Sequence, residues 1–116
     1  MFRHGLAIAC LNINSLLAHM DDLKIFMVNC KIDILCINET KLDSSVSNSE
    51  IYLSGYDVVR LDRNVSGRNG GGACIYIRSN LNLCIRKDLA NKDLEFLLAE
   101  ISKPRSKPFL VGTWYR

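Results

Sequence analysis

The tightest constraint on this chain is a strand-helix-strand pattern in its first third. Leu6 to Ile13 reads LAIACLNI, a nearly continuous apolar run that suits a strand buried on both faces. Ser15 is placed to cap a helix on which Leu16, Met20, Leu23, Met27 and Cys30 recur at spacings of four, three, four and three. Asp33-Ile34-Leu35-Cys36-Ile37 supplies a second short apolar run. A helical crossover makes two such strands parallel, so both leave the sheet at the same edge. Asn12, Asn14 and Glu39 sit at those two exits and gather there.

Beyond this unit the grammar changes. Leu42 to Glu50 is serine-rich, LDSSVSNSE, and marks a surface loop. Asp57–Leu61, Ala73–Ile77, Leu81–Arg86, Glu95–Ile101 and Phe109–Tyr115 are short, rich in β-forming residues and separated by turn chemistry, as in a series of hairpins. No internal repeat or second domain is visible. Residues 1–116 therefore read as one α/β domain, and a last strand running straight into Arg116 predicts that the domain is cut short. Ordering the backbone alone costs about 1–2 kcal/mol per residue. An apolar sheet face left uncovered would make folding marginal.

Several classes of function are disfavoured. No apolar run approaches the ~20 residues of a membrane span, and Met1-Phe2-Arg3-His4-Gly5 leads into a strand-like segment rather than a secretory signal. Cys10, Cys30, Cys36, Cys74 and Cys84 show no CxxC or Cys/His ligand spacing, and each lies in or beside an apolar run, so all five read as reduced core residues. The expectation is a cytoplasmic or nuclear protein that is not secreted. A net charge of +3 is mild, with Arg60, Arg63 and Arg68 the nearest approach to a cluster. Such a bias suits a polyanionic partner without establishing one.

An isolated carboxylate after a buried strand is by itself an ordinary loop acid. Parallel strand exits, however, are where α/β proteins place ligands. Glu39, flanked by amides and by Lys41, suits an oxygen-coordinated Mg2+ that keeps several waters and meets a phosphate. Asn12 and Asn14 alternate on an extended chain and point to opposite sides, so only one faces the carboxylate, and Asn12 is the better placed. Gly67-Arg68-Asn69-Gly70-Gly71-Gly72 is followed by a strand, not by the helix a phosphate loop needs, and reads as a flexible hairpin entry. Arg63 and Arg68 beside it suit contact with a nucleic-acid backbone. His4 and His19 join no catalytic constellation.

Leu11-Asn12-Ile13-Asn14-Ser15-Leu16, Asp33-Ile34-Leu35-Cys36-Ile37-Asn38-Glu39-Thr40-Lys41 and Gly70-Gly71-Gly72-Ala73-Cys74-Ile75-Tyr76-Ile77 together resemble the endonuclease/exonuclease/phosphatase superfamily. With Ser49 to Tyr56 and Arg60 to Arg63 between them, the chain looks like the endonuclease domain of non-LTR retrotransposons, which precedes a reverse transcriptase. The resemblance implies the N-terminal half of a DNase I-like four-layered α/β sandwich that uses Mg2+ or Mn2+ on a DNA substrate. It also implies phosphate contact by Asn12, metal binding by Glu39 and a phosphate-holding role for Tyr115. Asn14 stands where apurinic/apyrimidinic endonucleases have an aspartate, which leaves a metal role there open. The family's Gly-Asp-x-Asn and Ser-Asp-His segments do not occur, so the chain alone is expected to be inactive. Two alternatives stay open: a non-catalytic, domesticated remnant binding nucleic acid or protein, and another phosphoesterase of the same superfamily.

Overall fold

The computed structural model describes residues 6–62, 71–85, 95–102 and 107–115. Along them run β1 (Ile8–Asn12), a 3-10 turn at Leu17–His19, α1 (Met20–Asn29), β2 (Ile34–Asn38), a 3-10 turn at Asn48–Ile51, β3 (Tyr56–Leu61), β4 (Ala73–Arg78), β5 (Asn82–Ile85), β6 (Glu95–Ser102) and β7 (Phe109–Tyr115). The expected strand-helix-strand unit is present. β1 and β2 pair in parallel, from Ile8 opposite Ile34 to Asn12 opposite Asn38. β4 inserts between β2 and β3, antiparallel to both, giving the order β1-β2-β4-β3, while β5-β6-β7 form a separate antiparallel sheet.

Strand alternation divides the core in two. Leu35, Ile37, Cys74 and Tyr76 point toward Leu16, Met20, Leu23 and Met27, so the helical stripe read from the sequence is the face that packs. Ile34, Cys36, Ile75 and Ile77 point the other way, onto Leu97, Ala99, Ile101 and Val111 of the second sheet. Helix, mixed sheet and antiparallel sheet thus form three layers, with β2 and β4 buried on both faces. Two buried phenols close the packing: Tyr76 Oη donates to the Ile51 carbonyl and Tyr56 Oη to that of Ile32, each at 2.5 Å.

Four sequence expectations need correction. β1 is not buried on both faces but is an edge strand, with Ile8 51% and Leu11 39% exposed. Only β2 pairs with it among the described residues, and the core of the second sheet does not reach Ile8 or Cys10. Ser15 does not cap the helix. It sits at φ 95°, and the helix starts from the Leu17–His19 turn with no side-chain cap. The cysteines are not uniformly core residues: Cys36 and Cys74 are buried, Cys30 is half-buried, and Cys10 and Cys84 are exposed. Finally, Arg60 is not a solvated surface charge. It pairs with Asp62 at 2.5 Å and donates to the Val46 carbonyl at 2.7 Å, the Asp43 carbonyl at 2.9 Å and Asn48 Oδ1 at 3.2 Å, fastening the serine-rich segment to β3. That segment is further ordered by a capping box between Ser47 and Glu50.

Burial also sets the alkaline limit of the fold. Desolvation, with a smaller contribution from Cys10, pushes the Cys36 thiol from 9.0 up to about 12. Desolvation likewise raises Cys74 and the Tyr76 phenol. A raised folded-state value gives stability that is intact below the unfolded value and lost as pH rises toward the folded one. Each thiol should therefore subtract about 1.4 kcal/mol per pH unit above roughly 9. Melting followed by circular dichroism should show a flat midpoint from about pH 6 to 8 and a steep fall between about 9 and 11. A midpoint unchanged at about pH 10.5 would contradict the packing of these groups.

Candidate functional site at the strand exits

The parallel pairing of β1 and β2 brings both exits to one edge, and β4 enters at the same edge because Ala73 lies opposite Asn38. Backbone bonds knit the three together. Ile13 N–H donates to the Asn38 carbonyl at 3.2 Å, Ser15 N–H to that of Glu39 at 2.9 Å, and Leu16 N–H to that of Thr40 at 2.9 Å. From the other side, Glu39 and Thr40 N–H donate to the Gly72 carbonyl at 2.9 and 3.4 Å, and Lys41 N–H donates to that of Gly71 at 2.9 Å. The turn carrying Glu39 is held between two backbone segments.

The same turn carries the strain. Asn14 (φ 49°), Ser15 (95°), Glu39 (58°) and Lys41 (54°) are the non-glycine residues with positive φ among the described residues, and all four lie at this edge. A left-handed conformation costs an L-residue about 1–2 kcal/mol, and such strain persists only where surrounding bonds enforce it. Asn14 is thus not on an extended chain, and the expected simple alternation with Asn12 ends one residue after Ile13.

Gly71 and Gly72, buried at φ 73° and 86°, are a clamp on the Glu39 turn rather than a flexible hairpin entry. β4 follows them directly, as expected, which keeps the phosphate-loop reading excluded. Replacing Gly72 by Ala should destabilise the fold by about 1–2 kcal/mol through φ alone. Urea denaturation measures this, and a loss no larger than that of an exposed alanine substitution would show the clamp to be slack.

Asn12 is exposed and Glu39 half-buried. Asn12 and Asn38 lie opposite each other on neighbouring strands and share a face. On that face the buried Thr113 hydroxyl donates to Asn38 Oδ1, joining β7 of the second sheet to the end of β2. Thr40 is buried beside Glu39, and its Oγ1 has no hydrogen-bond partner among the described residues. Lys41 and Asn14 are exposed. Tyr115 ends β7 two residues beyond Thr113, but its side chain lies outside the described residues, as do Arg63 and Arg68. Among the described residues no group of three or more His, Cys, Asp or Glu side chains is placed to hold a metal ion. The donor set is one carboxylate among amides and hydroxyls, which fits a hard cation that keeps most of its water and does not fit zinc. Asn38, Thr40, Thr113 and the two glycines are members of this edge that sequence reasoning assigned no role in it.

No family model and no curated protein sequence matches the chain. Solved structures do. The AP endonuclease LMAP from Leishmania major superposes with a TM-score of 0.67 at 21% identity, over 91% of this chain and 38% of its own. The 3′ phosphatase NExo from Neisseria, bound to a product DNA hairpin, gives 0.62 at 19% identity, over 84% of this chain and 38% of its own. The fold is DNase I-like. An AP endonuclease from Archaeoglobus fulgidus agrees, with a TM-score of 0.60 at 22% identity, over 84% of this chain and 38% of that one. The chain spans well under half the length of each of these three structures.

Proposed function

We propose that the chain is the first part of a divalent-metal-dependent phosphodiesterase that nicks DNA, the endonuclease domain of a non-LTR retrotransposon that precedes a reverse transcriptase. The observation that carries the reading is Glu39, held at φ 58° between the Ser15-Leu16 and Gly71-Gly72 backbones at the exit of two parallel strands, one residue past the Asn38 that lies opposite exposed Asn12. The likeness of the fold to AP endonucleases and to a 3′ phosphatase bound to DNA supports it.

In this reading Glu39 binds one Mg2+ or Mn2+, and the ion supplies charge stabilisation at the scissile phosphate. Asn12 donates its amide N–H to a phosphate oxygen, and Tyr115 steadies the same group. Asn14 and Lys41 flank the site, and Arg63 and Arg68 contact the DNA backbone. The Gly-Asp-x-Asn and Ser-Asp-His segments that would activate water do not occur in these 116 residues, so this chain alone does not turn over. The protein works in the nucleus or cytoplasm.

The test is nicking of supercoiled plasmid, with Mg2+ and with chelator, by a polypeptide long enough to complete the fold. Metal-dependent nicking supports the proposal. Salt-sensitive DNA binding without nicking overturns it and favours a non-catalytic nucleic-acid-binding module.

A further inference from the structure

Cys10 and Cys36 are paired across two neighbouring strands, and they differ sharply in surroundings. They lie directly opposite each other in the β1–β2 register, so both side chains leave the same face of the sheet. Cys10 is exposed on the edge strand, while Cys36 is 2% exposed and buried by the second sheet. The neighbouring Cys10 thiol adds to the burial that raises Cys36. Neighbouring strands run about 4.8 Å apart, inside the range of about 4.4–6.8 Å between Cα atoms that a disulfide spans. Cys74 faces the helix from the other side of the sheet, and Cys84 lies on the second sheet.

We propose that Cys10 and Cys36 form a cross-strand dithiol that hydroperoxides close to a disulfide. The Cys10 thiolate attacks the peroxide: an S–O bond forms, the O–O bond breaks and hydroxide leaves, giving a sulfenic acid. Cys36 Sγ then attacks Cys10 Sγ. The S–S bond forms, the S–O bond breaks, and the departing hydroxide takes the thiol proton as water. In sum two thiols and one hydrogen peroxide give one disulfide and two waters, with sulfur oxidised and peroxide oxygen reduced. Exposure makes Cys10 the sulfur that meets the oxidant. Burial keeps Cys36 protonated and inert until a sulfenic acid is placed against it. Exposed disulfides are the labile ones, so the bond reopens with thiol reductants and acts as a switch rather than a permanent staple. Closure ties β1 to β2 two residues before Asn12 and Asn38, which places the modification beside the candidate site without depending on what that site does.

The experiment is peroxide treatment of the 116-residue chain, then intact mass and a non-reducing tryptic digest, in which Cys10, Cys30 and Cys36 fall on different peptides. The expected result is a loss of about 2 Da, one dominant Cys10–Cys36 linked peptide, and reversal by dithiothreitol. In denaturing guanidinium the same linkage should fall toward about one in the ten pairings open to five cysteines, which ties it to the native register without any mutant. Cys36→Ala should leave Cys10 progressing to sulfinic acid, with no linked peptide. Over-oxidation of Cys10 in the native wild-type chain, or a linkage no more frequent folded than unfolded, overturns the proposal.

Discussion

Glu39→Gln, introduced into a polypeptide that completes the fold, is expected to slow metal-dependent nicking about a thousandfold. If placing the cation lowers the barrier by about 4 kcal/mol, then at about 1.36 kcal/mol per decade the loss is three decades. Gln keeps the length and shape of Glu and removes only the charge. The φ of 58° and the backbone bonds to Ser15 and Gly72 involve main-chain atoms, so the melting midpoint should stay put while the rate collapses. A loss under about tenfold would overturn the proposed metal-binding role of Glu39. A thousandfold loss accompanied by unfolding would leave the structural role and the chemical role unseparated, which is why both are measured on the same protein.

The second large effect is on stability. Ile75 is fully buried at the junction of the sheets, opposite Cys36 on one side and Val59 on the other. Truncation to Ala removes its packing and leaves a cavity that two rigid sheets cannot collapse, at a cost of about 3–4 kcal/mol. Single domains hold only about 5–15 kcal/mol in total, so cooperative unfolding in the 116-residue chain should be largely lost. The control is Ile25→Ala on the helix, where the side chain is 63% exposed, with an expected change within about 0.5 kcal/mol. Equal urea midpoints for the two variants would mean that the sheets do not pack as described.

What the sequence disclosed and what it hid follow from the kind of signal involved. The spacing of Leu16, Met20, Leu23 and Met27 disclosed the buried helical face, and the apolar run before Asn38 disclosed a second, buried strand, because apolar patterning reports directly on burial. The same signal misled at β1. A continuous apolar run states what a strand can bury, not whether neighbouring chain reaches it, and Ile8 and Leu11 remain exposed. Arg60 read as a surface charge because its partners at Asp43, Val46 and Asn48 lie in a loop whose path no local pattern specifies. The hydrogen bond from Thr113 to Asn38 joins residues 75 positions apart in different sheets. Glu39 and Asn12 were legible as candidates because strand exits can be located. The clamp was not, since glycine signals conformational freedom without saying which backbone it approaches.

That clamp divides the labour within four residues. The backbone of Asn38-Glu39-Thr40-Lys41 is secured by carbonyl and amide groups of residues 13–16 and 71–72, atoms every sequence possesses. The Glu39 and Lys41 side chains are consequently relieved of holding the turn in shape. A lineage could exchange these two and test new chemistry at the mouth of the sheet while the scaffold stayed put, with the two glycines as the positions where such drift would be halted.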